Sequence, residues 1–127
     1  MDNTEASRFA AQWAHDWNSH DLEALLSHFS DDVLWTSPVA AQIVESSDGV
    51  LRGKAALRAY YAEGLRRTPE LHFEVLGVYQ GVNVLVINYR NQRGALVNEV
   101  LNFDDAGLVR EGHGTYLGSG ASSATGR

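Results

Sequence analysis

A change of hydrophobic period near the midpoint constrains this chain more than any other feature. Up to about residue 68 the apolar residues recur at helical spacing. Phe9, Trp13 and Trp17 stand at i, i+4 and i+8, which puts three aromatic rings along one stripe of a first helix. Thr4, with Glu5 in the first turn, is the expected cap of that helix, which runs to about Trp17. Asn18-Ser19-His20-Asp21 breaks it and recaps a shorter helix with an apolar face of Leu22, Leu25, Leu26 and Phe29. A third helix follows Gly53, with Ala56, Leu57, Tyr60, Tyr61, Gly64 and Leu65 at spacings of one, three and four. Between them, Val33 to Trp35 reads as a brief strand ending at Ser37-Pro38, because a residue before proline is pushed to extended geometry. Residues 40–52 read as a loop or lid, with Ser46-Ser47-Asp48-Gly49 as its turn.

Beyond Thr68-Pro69 the period falls to two. Leu71, Phe73 and Val75, then Val82, Val84 and Val86, alternate with mixed residues as strands do. Gln80-Gly81, Arg93-Gly94 and Asp104-Asp105-Ala106-Gly107 separate the apolar runs as hairpin turns, which predicts four antiparallel strands. Helices followed by hairpin-linked strands make an α+β domain, three helices packed on one face of a strongly curved, mostly antiparallel sheet. Such a sheet leaves a cone, which the aromatic stripe either fills as core or lines as an apolar pocket. One domain is expected over residues 1–117, and the Gly-, Ser-, Ala- and Thr-rich run at 118–127 is expected to be a flexible tail.

Composition removes several function classes. The 127 residues include no cysteine, so disulfides, zinc–thiolate sites and cysteine nucleophiles are excluded. Sixteen Asp and Glu against ten Lys and Arg leave a formal charge of −6, and no basic cluster exceeds Arg66-Arg67, so a phosphate-tracking groove for nucleic acid is not expected. No apolar run approaches a spanning helix, and the acidic start Met1-Asp2-Asn3-Thr4-Glu5 is unlike a signal peptide, so a cytoplasmic protein without a membrane partner is the expectation. His15, His20 and His28 do not fall at the i, i+4 spacing of a helical metal site, and neither a Gly-x-Ser-x-Gly elbow nor a phosphate-cradling glycine loop occurs; no metal or cofactor is expected.

Strand parity singles out one polar residue. In Val97-Asn98-Glu99-Val100-Leu101-Asn102-Phe103, Glu99 shares a face with Val97, Leu101 and Phe103. Burying even a neutral polar group without a partner costs roughly 2–7 kcal/mol, so an inward carboxyl calls for a reason. If the preceding hairpin turns at Arg93-Gly94, Gln92 stands opposite Ala95, Asn88 faces Glu99, and Arg90 faces Val97. Val86 shares the parity of Asn88 and Arg90, so this register brings a carboxyl, an amide and a guanidinium together as catalytic candidates. The alternatives are that Glu99 points outward or forms a core salt bridge with Arg90, because a one-residue slip reverses a whole face.

Several segments together resemble a known group. They are Trp13 four before Trp17, Asp21-Leu22, Phe29-Ser30-Asp31-Asp32-Val33, Ser37-Pro38-Val39, Gly53-Lys54-Ala55-Ala56-Leu57, Tyr60-Tyr61 and Phe103-Asp104-Asp105-Ala106-Gly107-Leu108-Val109. The chain, over residues 5 to 117, is similar to the SnoaL-like group of the NTF2-like superfamily, which includes ketosteroid isomerases and polyketide cyclases. The resemblance implies a cone-shaped NTF2-like fold. It also implies that the isomerases' oxyanion-hole tyrosine falls on Trp13, their general-base aspartate on Ser37 and their protonated acid on Glu99. An indole nitrogen can donate but not exchange a proton usefully, and a lone hydroxyl has no basicity near neutral pH, so one of three roles survives in kind.

By the same resemblance, Tyr61 supports the pocket and Gly112, Gly114 and Tyr116 are the inward positions of the last strand, which turns His113 away. The expected lining is then Trp13, Trp17, Trp35, Ser37, Tyr61, Val86, Val97, Gly112, Gly114 and Tyr116. Three functions fit: acid/base chemistry (isomerisation, cyclisation, dehydration or hydrolysis) on a hydrophobic small molecule, non-catalytic binding of such a molecule, or a structural dimer with a filled cone. A homodimer is expected in each case, from the sheet face carrying Asn98, Val100 and Asn102 and from the family's habit of pairing sheet on sheet.

Overall fold

The computed structural model describes residues 1–118, so the tail expected at 118–127 lies, from residue 119 onward, outside the described residues. The first helix, α1 (Asn3–Asn18), is capped two residues earlier than Thr4 would place it. Asp2 is the cap, with its carboxylate accepting from the Glu5 backbone at 2.8 Å while Glu5 Oε1 accepts from the Asp2 backbone at 2.9 Å. This reciprocal pair satisfies two of the orphan donors at the helix start. Asp21 caps α2 (Leu22–Leu26), and α2 ends before Phe29, which opens strand β1 (Phe29–Thr36) instead of closing the helical face.

Ser37 extends β1 and then caps a helix, so the segment expected to be an irregular lid is ordered. It contains α3 (Pro38–Ile43), a 3₁₀ turn at Glu45–Ser47 and a short strand β2 (Val50–Arg52) that pairs back on β1. Pro38 sits in the first turn of α3, where its missing N–H costs nothing. After α4 (Lys54–Arg67) come β3 (Glu74–Gln80), β4 (Val84–Arg90), β5 (Leu96–Phe103) and β6 (Val109–Tyr116). The six strands form one sheet in the order β2-β1-β6-β5-β4-β3, with every pair antiparallel except β1 with β6. The architecture is the expected curved, unclosed α+β sheet, with four α-helices where three were expected.

The core is an aromatic shell between the helices and the concave face of the sheet. Trp13 stacks on Phe73 at 5.7 Å and meets Tyr89 edge-on at 5.1 Å. One turn on, Trp17 reaches Tyr61 at 4.7 Å, and Phe29 and Trp35 close the ring around Tyr61 at 6.0 and 5.8 Å. The residues that break α1 also tie it to the sheet. The Asn18 amide donates to the Phe73 carbonyl and accepts from the Phe73 N–H, at 2.9 and 2.7 Å, and His20 Nε2 lies 3.1 Å from the Leu71 carbonyl. They hold the segment leading into β3 beneath the end of α1.

Two glycines separate tight packing from open space. A Cβ at Gly112 would come within 2.4 Å of the Trp35 ring and 3.3 Å of Leu101, whereas one at Gly64 would meet nothing within 4 Å. Gly112→Ala is therefore expected to lower stability by about 1–3 kcal/mol through overpacking. Gly64→Ala, in the interior of α4, is expected to leave stability unchanged or raise it by up to about 1 kcal/mol. Urea midpoints of the two variants check both.

Candidate active site

The β4–β5 hairpin decides which side chains face inward. The Asn91 side chain accepts from the Arg93 and Ala95 backbone N–H groups at 2.9 and 3.0 Å, and Asn91 N–H donates to the Ala95 carbonyl at 3.0 Å. Gly94, at φ +82°, supplies the left-handed residue that closes a three-residue loop. The hairpin thus closes on Asn91–Ala95 and not on Gln92–Ala95. All of β4 shifts by one residue, giving Ile87 opposite Glu99, Asn88 opposite Asn98, Tyr89 opposite Val97 and Arg90 opposite Leu96.

This register corrects two of the three catalytic candidates. Asn88 lies on the outward face, where its amide donates to Asn98 Oδ1 at 2.9 Å, and Val86 is on that face with it. Arg90 is outward too, 3.8 Å from Glu74, and reaches only the rim of the cavity. Leu85, Ile87 and Tyr89 take the inward positions and are buried. Glu99 is inward and 4% exposed.

A cavity of about 720 Å³ occupies the open part of the cone. Trp17, Trp35 and Tyr61 form its aromatic wall, and Ser37, Glu99, Gly114 and Tyr116 line it from the sheet side. Other expected lining residues lie elsewhere. Trp13 is 1% exposed and stands behind Phe73 and Tyr89, and the Gly112 position is occupied by the Trp35 ring. Val97 is inward but buried, flanked across the sheet by Tyr89 and Tyr116. His113 faces outward, its ring nitrogens 2.6 Å from Thr36 Oγ1 and 2.8 Å from Glu111 Oε2.

The environment of Glu99 sets its chemistry. Burial among apolar and aromatic groups pushes its pKa from 4.5 up to about 8, opposed by a hydrogen bond from the Tyr89 hydroxyl to Oε1 at 3.3 Å. At neutral pH the carboxyl is predominantly protonated and can donate. Burial, and then the nearby Glu99 carboxyl, raise the phenols of Tyr61 and Tyr89 well above the ordinary value; burial also lifts Tyr60 to about 12, against a hydrogen bond with Ser37. None of these phenols titrates near neutrality, which leaves Glu99 to exchange a proton there.

Ser37 uses its hydroxyl to accept the Val39 N–H at 3.1 Å as the cap of α3. A Cβ on Gly114 would lie 3.4 Å from Ser37 Oγ and 3.7 Å from Glu99 Oε1, so the absent side chain leaves a gap that both oxygens flank. The other buried carboxyl, Asp16, is 3% exposed but fully engaged, accepting from Gln12 at 2.8 Å and lying 2.8 Å from His28 Nε2. It braces α1 against the start of β1. Among the described residues no group of three or more His, Cys, Asp or Glu could hold a metal ion, and no helix is long and apolar enough to cross a membrane.

Tyr89 and Tyr60 are the residues that sequence reasoning missed. The signal for Tyr89 was present: Leu85, Ile87 and Tyr89 form a wholly apolar alternating set, while the competing set ends in Asn88 and Arg90.

The fold and this cavity are those of a cone-shaped α+β domain with a buried acid, Glu99, on the cavity wall. Residues 10–115 match the SnoaL-like domain, and the chain belongs to that family. It is similar to a SnoaL-like protein of unknown function from Burkholderia thailandensis, at 38% identity and a TM-score of 0.86, covering 93% of this chain and 99% of that one. A candidate isomerase of the SnoaL-like family from Agrobacterium tumefaciens shares the fold at 16% identity and a TM-score of 0.71, over 91% of this chain and 99% of that one. So does TerC, co-crystallised with polyporic acid, at 16% identity and a TM-score of 0.70, over 91% of each chain. None of the curated proteins matches the chain.

The raised pKa of Glu99 has a consequence for stability. Between about 4.5, where the unfolded carboxyl titrates, and about 8, the folded chain keeps a proton that the unfolded chain has lost. Stability must then fall as pH rises through that window. Urea denaturation at pH 5 and pH 9 is expected to show a loss in the wild type that Glu99→Gln largely abolishes.

Proposed function

We propose that this chain is a cofactor-independent enzyme that transfers a proton to or from a hydrophobic small molecule held in the cone, with Glu99 as the acid/base. The observation that carries the reading is a buried carboxyl on the wall of an aromatic cavity, beside the gap left at Gly114, where burial raises its pKa to about 8. A buried acid with one weak partner is costly for packing alone, whereas an acid poised near neutrality is what proton transfer needs. The chemistry differs from that of a steroid isomerase. Trp13 is sealed in the core and the Ser37 hydroxyl is a helix cap, so neither a phenol from α1 nor a second carboxylate takes part. One group must serve as both acid and base, which suits isomerisation, cyclisation, dehydration or hydrolysis with return of the proton to the same residue. TerC, of the same fold, is co-crystallised with polyporic acid, which supports a small-molecule occupant.

A thermal-shift screen of lipophilic carbonyl compounds supplies candidate ligands, and mass spectrometry of the incubated hits detects turnover. The rate is expected to fall as pH rises through about 8, where the acid form of Glu99 is lost. Glu99→Gln is expected to reduce turnover by about 10²–10⁴-fold while retaining the ligand. A ligand that binds wild type and Glu99→Gln alike and returns unaltered would favour a non-catalytic carrier, the reading that the engaged Ser37 hydroxyl supports.

The outward face of β4 and β5, with Val86, Val100 and the Asn88–Asn98 bond, supports pairing of two copies sheet to sheet. Sedimentation at micromolar concentration is expected to give twice the mass of the chain; a monomer would exclude this pairing.

A further inference from the structure

The cavity wall has a charge balance opposite to that of the chain. Three of the ten Lys and Arg residues line it, Arg67, Arg90 and Arg93, and of the sixteen Asp and Glu only Glu99 does. Glu99 is held protonated near neutral pH, so it offsets little of that positive charge. The arginines gather at the mouth, where the end of α4 faces the β4–β5 loop. Arg67 is 2.6 Å from Glu63 and Arg90 is 3.8 Å from Glu74, both carboxylates standing outside the cavity wall. Arg93 has no salt bridge among the described residues. Its backbone is held by the Asn91 carboxamide, so the guanidinium is carried on an ordered loop. A chain of net charge −6 repels anions at long range, which makes a cation unpaired among the described residues, at the mouth of an aromatic cavity, a local exception that a charged ligand would feel.

We infer that the ligand of this cavity is an amphipathic organic anion, its apolar cyclic body inside the cone and its acidic group at the mouth against Arg93, with Arg67 and Arg90 adding to the local field. This rests on the reading of the cone as a small-molecule site and narrows the class of molecule it takes. The geometry suits such a ligand at both ends. An anionic group buried beside Glu99 would meet a second acid and an aromatic wall, whereas at the mouth it stays hydrated and paired with a guanidinium, which binds carboxylates and sulfonates in a planar fork. The end that enters then presents a neutral oxygen to the protonated Glu99.

Two fluorescent probes with the same aromatic body separate the terms: 8-anilinonaphthalene-1-sulfonate, an anion, and N-phenyl-1-naphthylamine, its uncharged counterpart. Both are expected to bind the full chain and displace one another. Arg93→Gln is expected to weaken the sulfonate about threefold or more and leave the amine unchanged, Arg93→Lys to restore most of the loss, and added salt to weaken only the sulfonate. Thermal melts of the variants check that the fold is retained. Equal effects on both probes, or none on either, would overturn the anionic head group while leaving the small-molecule site intact. Binding of the amine alone would likewise overturn only the anionic head group, whereas failure of both probes to bind wild type would remove the small-molecule reading and this inference with it.

Discussion

Two hydrogen bonds accepted by one carboxamide settle the inner surface of this protein. By accepting from Arg93 N–H and Ala95 N–H, Asn91 closes the β4–β5 hairpin on a three-residue loop and pairs residue 87 with residue 99. Every side chain of β4 is assigned to cavity or solvent by that choice, because successive strand residues point to opposite faces. With a loop one residue shorter, Asn88 and Arg90 would point into the cone beside Glu99, and the carboxyl would be ionised in a salt bridge. With the loop as it is, Tyr89 is the neighbour, and a phenol hydrogen bond is too weak to offset burial of a charge. The raised pKa of Glu99 thus depends on hairpin geometry four to eight residues away.

Much of this was legible in the sequence, and what was not has a local cause. The switch from a 3.6-residue to a two-residue period placed helices and strands correctly in order. The parity of Glu99 with Val97, Leu101 and Phe103 identified the inward acid without reference to any turn, because it depends on one strand alone. The facing strand requires a register, and a two-residue turn at Arg93-Gly94 gives one that is off by a residue. The chain holds the key to the right one. Asp104-Asp105-Ala106-Gly107-Leu108 repeats the Asn91-Gln92-Arg93-Gly94-Ala95 pattern, and in both the first side chain accepts from the N–H groups two and four residues on, with a glycine at φ near +82°. Segment 38–52 was opaque for a different reason. Its short helix and three-residue strand are held by Ser37 as cap and by pairing with β1, contacts that no periodicity over so few residues can announce.

The isomerase resemblance implies a phenol on the first helix, and this chain carries Trp13 there. Trp13 stands where the family's phenol would reach the site, yet the larger ring is drawn into the stack with Phe73 and Tyr89 and leaves the cavity. A phenol reaches the acid all the same, from Tyr89 on β4. Moving the hydroxyl from helix to strand changes its task. Lying 3.3 Å from Oε1 within the core, it holds the carboxyl in place, whereas the outer side of the acid is left to the gap at Gly114.

That division gives the cavity a gradient along its length. At the closed end the buried carboxyl of Glu99 stands among the rings of Trp17, Trp35 and Tyr61, and its burial holds its pKa near 8. At the open end the wall is basic, and Arg93 is borne on a hydrogen-bonded loop. The two ends are joined through the same hairpin, since Asn91 both presents Arg93 at the mouth and fixes the register that turns Tyr89 toward Glu99. The placement of Arg93 and the neighbour of Glu99 are therefore consequences of one turn, and a change in its length would disturb both together.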